Sequence, residues 1–131
     1  METEKVLLDS DFVIDLLRGY TKRIDRLIAR IEKGEIKAYL SLISVIELYT
    51  GEDSEEKEII ITEFLSLLDI LPLDFKLCKT AGNIKRKHHL SLADSIIAAT
   101  SSYHKIKLFT FNLKHFQNIP GIDLYHPDKQ F

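Results

Sequence analysis

The chain carries a single cysteine, Cys78, among its 131 residues. No intrachain disulfide can form and no cysteine-based zinc site can be built. One thiol suits a reducing cytosol, and its place in a helical apolar pattern predicts a small buried side chain. Long apolar runs are also missing. No window approaches the roughly 20 residues of a membrane span. Val6-Leu7-Leu8 ends at Asp9, too short a run for the apolar core of a leader peptide. The chain therefore reads as cytoplasmic, with no membrane as partner. Repeats, low-complexity stretches and linkers are absent, so one domain over 1–131 is expected. A strong excess of either charge is lacking too. The formal net charge is −2, so nucleic acid would need a local basic patch.

The composition that remains is 45 % hydrophobic and 29 % charged, enough for a core and too apolar for extended disorder. Val6-Leu7-Leu8 reads as a strand buried on both faces. Asp9-Ser10-Asp11 offers a helix N-cap before Phe12 to Leu17. Ile24, Leu27, Ile28 and Ile31 recur at helical spacing, and Gly34 stops that helix. Ile36 to Leu42 is a second strand. Ser44 and Glu47 form a capping-box pattern. Asp53 to Leu68 is predicted as one longer helix, followed by a brief strand at Ile70 and Leu71. Asp74 caps a helix that buries Leu77, Cys78, Ala81 and Ile84. Ser91 to Asp94 is a further capping-box pattern and opens a helix to about Tyr103. Lys107 to Phe111 and Asp123 to Tyr125 close the series as strands. Strands alternate with helices throughout, which predicts an α/β sandwich around a mostly parallel sheet.

Four residues stand at places where such a fold gathers chemistry. Asp9 and Asn112 follow strands. Glu47 and Asp94 lie on helices that can reach the same end. Ligands of open parallel sheets bind beyond the carboxyl ends of strands, where the strand order reverses. Two carboxylates about 4 Å apart repel by roughly 4 kcal/mol at an effective dielectric near 20. A divalent cation removes that penalty, and Mg²⁺ or Mn²⁺ prefers such oxygen ligands. A bound cation of this kind acidifies water and offsets charge at phosphorus, the chemistry of phosphodiester hydrolysis. Each residue also has a plain structural role available: Asp9 as an N-cap, Glu47 and Asp94 as capping acids, Asn112 in a turn.

These residues resemble the PIN-domain family. Val6 to Leu17 looks like that family's opening strand and helix, with Asp9 as first acid. Ser44 to Gly51 is similar to the segment carrying the second acid, here Glu47. Leu92 to Thr100 is the strongest match and places Asp94 third. Phe109 to Phe116 looks like the final motif, with Asn112 fourth and Thr110 beside it. The resemblance implies a PIN-like three-layer sandwich whose five-stranded sheet runs 3-2-1-4-5. It implies that Asp9, Glu47, Asp94 and Asn112 are catalytic, supported by Thr110 and Ser10. Asp9, Glu47 and Asp94 would bind Mg²⁺ or Mn²⁺ for RNA cleavage. The short form looks like VapC-type toxins, which dimerise and are held by a VapB-type antitoxin. Two positions depart from the pattern. Asn112 stands where many relatives have Asp, which adds no charge for a second metal. Asp11 stands where a small neutral residue is common, and is read as a cap facing solvent.

Lys85-Arg86-Lys87-His88-His89 is the densest basic run. Arg86 and Lys87, with Lys114 and His115, are candidates to face RNA, although cations also complement a helix C-terminus. Ile59, Ile60 and Ile61 cannot all be buried by one helix, so Ile59 and Ile60 are candidates for a partner surface. Two other readings compete. A response-regulator receiver would use Asp9, Asp11, Asp74 and Thr110 but leaves Glu47 and Asp94 unused. A catalytically inactive PIN domain would serve as a protein-binding module.

Overall fold

A computed structural model describes residues 2–19 and 21–127. Its centre is β1 (Glu4–Leu8), where Val6, Leu7 and Leu8 are all fully buried. Alternation sends Val6 and Leu8 to one face of the sheet and Leu7 to the other. A strand with water on neither side needs helices over both, and the apolar run provides for that.

β1 pairs in parallel with β2 (Ile36–Ser41) on one side and with β4 (Lys107–Phe109) on the other. β3 (Asp69–Leu71) extends the sheet beyond β2, giving the order β3-β2-β1-β4. The predicted last strand contracts to a single parallel bridge between Leu108 and Leu124. Pro120 and Gly121 before it and Pro127 after it leave little extended chain to pair. The bridge still sets this segment beside β4. The order excludes the receiver alternative, whose strands run 2-1-3-4-5.

One face is covered by α1 (Ser10–Arg18), α2 (Thr21–Glu32) and α4 (Glu58–Leu65). Phe12, Val13, Ile24, Leu27, Ile61 and Phe64 pack there against Val6, Leu8 and Phe109. α3 (Leu42–Tyr49) adds Leu48 to the same cluster. On the other face lies α6 (Leu92–His104), backed by α5 (Phe75–His88). Ile97 and Ala98 of α6 meet Leu7 and Leu108, while Ile96 and Ala99 meet Leu77 and Ala81 of α5. A helix held between two layers must be apolar nearly all round, as α6 is. A short α7 (Leu113–Phe116) adds Phe116 to that layer.

Some local expectations change. Cys78 is exposed, because Leu77, Ala81 and Ile84 at spacings of four and three already fill the α5 stripe. The long helix from Asp53 shortens to α4, and 51–57 forms turns ahead of it. On α4, Ile61 is buried while Ile59 and Ile60 are 74 % and 50 % exposed. The cap of α3 is Ser41, whose Oγ accepts from Ile43 N–H, and not Ser44, which is buried inside the helix. No helix among the described residues is long and apolar enough to cross a membrane.

Candidate active site

Register brings the first two residues together. Leu8 is paired with Phe109, so Asp9 and Thr110 leave the sheet side by side at its carboxyl end. Asp9 is both the N-cap of α1 and a buried acid, 3 % exposed. Its Oδ1 accepts from Ser10 N–H at 2.8 Å, and its Oδ2 accepts from the Thr110 hydroxyl at 2.6 Å. The capping role and the site role therefore coincide.

Ser10 carries the connection outward. Its hydroxyl donates to Glu47 Oε1 at 2.7 Å, joining residues 37 apart in sequence. Because Ser41 supplies the α3 cap, the Glu47 side chain is free of the capping-box role and turns to α1. On the other side, Asn112 N–H donates to Thr110 Oγ1 at 2.9 Å. Asp94 sits in the first turn of α6, where its backbone N–H is capped by Ser91 Oγ at 3.1 Å. Its carboxylate instead meets His115, with Nδ1 3.3 Å from Oδ2.

His115 also lies 2.9 Å from the Asn112 amide through the same Nδ1. A ring N–H that donates to Asp94 cannot accept a second hydrogen there. The Asn112 amide nitrogen also lies 3.2 Å from Nε2, and which group donates is set by the ring tautomer.

Asp11 belongs to this constellation rather than to solvent. Its Oδ2 accepts from Phe111 N–H at 3.2 Å and lies 3.5 Å from the Thr110 hydroxyl. The two-residue spacing Asp9-x-Asp11 at a strand end was the available signal. His115 follows Asn112 by three residues on a helical turn, the spacing that puts two side chains on one face.

The electrostatics follow from this crowding. Burial pushes the Asp9 carboxyl up from its ordinary value to about 6, and the negative charges of Asp11 and Asp94 push the same way. The bonds from Thr110 and Ser10 oppose the shift without cancelling it. Asp9, Glu47 and Asp94 share one end of the sheet, but each is tied to its own donor: Thr110, Ser10 and His115. Among the described residues no group of three or more His, Cys, Asp or Glu side chains is drawn in tightly enough to hold a metal ion. The donor set nevertheless fits a hard divalent cation: carboxylate oxygens, one of them raised chiefly by its burial and further by its neighbours' charge.

Thr110→Val tests how far this chain of contacts depends on its central hydroxyl. The valine keeps the shape and removes the one group bonded to both Asp9 and Asn112. If these contacts serve catalysis, activity falls roughly 10–100-fold, as for other residues that orient ligands. The check is cleavage rate together with a melting curve; unchanged cleavage would leave Thr110 no part in holding Asp9.

Other residues lie apart from these contacts. Arg86 is exposed in the last turn of α5 and donates to Asn83 Oδ1 at 2.8 Å. Lys87 is exposed beside it, and Lys114 is exposed on α7 next to His115. A cationic feature not foreseen lies beyond Asp11. The Arg23 guanidinium stands 4.0 Å above the centre of the Phe111 ring.

The model of the PIN domain family matches residues 6–122 of the chain. A ribonuclease VapC1 of Rickettsia felis is 33 % identical over 100 residues, 67 % of this chain and 75 % of that protein. The solved structure of VapBC2 from Rickettsia felis, bound to a promoter DNA fragment, superposes with a TM-score of 0.77 at 19 % identity. That match covers 95 % of this chain and 99 % of the other. A toxin–antitoxin complex from Klebsiella pneumoniae superposes with a TM-score of 0.71 at 28 % identity, over 89 % of this chain and 94 % of its counterpart.

Proposed function

Because this chain belongs to the PIN domain family, we propose that it is a divalent-metal-dependent endoribonuclease and the toxin of a toxin–antitoxin pair. The observation that carries the reading is the joining of Glu47, Asp9, Asn112 and Asp94, in that order, into one chain of contacts through Ser10, Thr110 and His115 at the carboxyl end of β1 and β4. A relative named ribonuclease supports the activity, and a superposed toxin–antitoxin complex supports the partner.

Asp9, Glu47 and Asp94 are the residues that would hold Mg²⁺ or Mn²⁺. Such an ion, when bound, acidifies water and offsets charge at the phosphate. Asp9 supplies a rigid buried anchor, fixed by Ser10 and Thr110. Glu47 and Asp94 are held by a hydroxyl and an imidazole, contacts that exchange for a cation at small cost. Asn112, through its amide, contributes a neutral oxygen beside these acids. Lys114, Arg86 and Lys87 are offered as outer contacts for RNA phosphates. The partner surface includes Ile59 and Ile60, whose exposed apolar side chains suit a protein face, whether antitoxin or a second copy. A cytoplasmic setting fits this reading.

The deciding experiment incubates the purified chain with a pool of structured and unstructured RNAs. Cleavage is expected with Mg²⁺ or Mn²⁺ and not with EDTA. Equal cleavage in chelator would remove the metal from the proposal, and none in any condition would remove the nuclease.

A further inference from the structure

We infer that His115 is a positioning residue, holding the Asp94 carboxylate and the Asn112 amide in one shared orientation toward the cation, an inference that rests on the metal-dependent reading of this site. The imidazole touches both side chains. Its Nδ1 lies 3.3 Å from Asp94 Oδ2, and the Asn112 amide nitrogen lies 2.9 Å from Nδ1 and 3.2 Å from Nε2. Asp94 comes from the first turn of α6 and Asn112 from the corner between β4 and α7, so one imidazole spans two elements.

Neither contact is a requirement of folding. The His115 side chain is 52 % exposed, and an exposed contact of this kind adds little to stability. The helix starts on either side are arranged without it. Ser91 Oγ accepts from the Asp94 N–H, and Thr110 Oγ1 accepts from the Asn112 N–H. Asn112 stands at the cap of α7 yet gives it no side-chain bond. Two side chains suited to capping are thus released from it, and each is turned to the imidazole instead.

A buried neighbour fixes the imidazole. Phe116 is 1 % exposed and seats the single turn of α7 in the layer of Ile97, Leu108 and Ile119. His115 precedes it on that turn, three residues after Asn112, the spacing that brings ring and amide to one face. Asp94 gains direction without being used up. A carboxylate offers about four lone-pair sites, and the imidazole meets one oxygen only, Oδ2. The remaining sites are open to a cation while the imidazole stays as the outer partner. A ligating carboxylate that lacks such a partner must be ordered as the cation arrives, which detracts from affinity. His115 supplies that order in advance. The charge of Asp94 is felt at Asp9, where it is one of the causes that raise the carboxyl, so the oriented acid and the buried one act on a common region.

The test reads Mn²⁺ binding by the full chain in the absence of RNA, from the loss of the free-ion paramagnetic resonance signal. His115→Ala is expected to weaken binding about 10-fold or more, with an unchanged melting curve in EDTA. His115→Gln keeps a donor and an acceptor and should recover most of that loss. In an Asn112→Ala background, His115→Ala should cost less than it does alone, because one of its two partners is already gone. The Mn²⁺ concentration for half-maximal cleavage should rise by the same factor as the binding constant. Unchanged or tighter Mn²⁺ binding by His115→Ala overturns the inference, as does a loss accompanied by a lower melting temperature in EDTA, or one that His115→Gln does not recover. Absence of Mn²⁺ binding by the unmodified chain overturns it as well. Failure of the ribonuclease reading appears separately: a chain that binds Mn²⁺ with this dependence on His115 but cleaves no RNA loses that reading and keeps this one.

Discussion

Asp94→Asn is expected to lower cleavage about 1,000-fold or more while leaving the fold in place. The substitution removes one charged oxygen from the group proposed to hold the cation. A ligating carboxylate contributes several kcal/mol to offsetting charge in the transition state, and about 4 kcal/mol is a thousand-fold in rate. The fold does not depend on that carboxylate. α6 is started by Ser91, whose Oγ bonds the Asp94 backbone and not its side chain. The helix is then held by the buried run from Ser95 to Ser101. The side chain of Asp94 is 21 % exposed and touches a His115 side chain that is 52 % exposed. An exposed pair of this kind contributes at most about 1 kcal/mol. Single-turnover cleavage in Mn²⁺, paired with a melting curve, checks both halves. Cleavage at the unmodified rate would remove Asp94 from the mechanism.

The second large effect concerns stability, and its sign is unusual for a buried polar substitution. In chelator above pH 6, Asp9→Asn is expected to raise the melting temperature, although it abolishes cleavage. The Asp9 carboxyl is raised to about 6 from 3.8. An acid raised on folding contributes stability that is complete below its unfolded value and is lost as pH climbs through its folded value. Ionised Asp9 therefore costs the metal-free fold about 3 kcal/mol above pH 6, taking 1.36 kcal/mol per unit. Asparagine escapes that cost. It keeps an oxygen for Ser10 N–H and presents an amide hydrogen to Thr110, which then accepts in place of donating. Losing the second acceptor gives back part of the gain. A net of about 1 kcal/mol corresponds to a rise of roughly 3–5 °C. Near pH 4, where the carboxyl is protonated when folded, the gain is gone and Asp9→Asn should melt below the unmodified chain because the lost acceptor is no longer offset. Above pH 6 the gain should reverse with saturating Mg²⁺ or Mn²⁺, because a cation that binds only the folded unmodified chain stabilises it by mass action. A lower melting temperature for Asp9→Asn at pH 8 in EDTA would contradict the account.

Much of this site can be read from the order of residues, for reasons that differ by element. Val6 to Leu8 is legible because a short apolar run bounded by Lys5 and Asp9 is what a strand buried on both faces requires. The α2 stripe is equally clear, since Ile24, Leu27, Ile28 and Ile31 repeat a helical period. Glu47 is reached by motif alone. Its partner Ser10 lies 37 residues away, and only the packing of α1 on α3 brings them together. Asp11 is misread because an N-terminal acid on a helix has a sufficient local explanation, and its actual donors sit about a hundred residues on. Ser44 misleads in the same way: it satisfies the capping pattern by spacing, but chain direction makes Ser41 the cap. The Arg23–Phe111 pair leaves no trace in local pattern, because it depends on the turn at Gly19 and on the strand order.

The sheet's borders have a consequence for how this chain meets others. At one side stands β3, three residues long and stopped by Pro72, with Asp69 paired to Lys37 at 3.6 Å. At the other, among the described residues, the segment after Pro120 pairs with β4 through a single bridge. Neither border offers a foreign strand enough consecutive backbone groups to zip onto. Among the described residues the sheet's borders therefore give strand addition little to pair with, and the helix surfaces are the larger faces open to another chain. Such blunted margins let the folded chain accumulate without offering the edges from which fibrils grow.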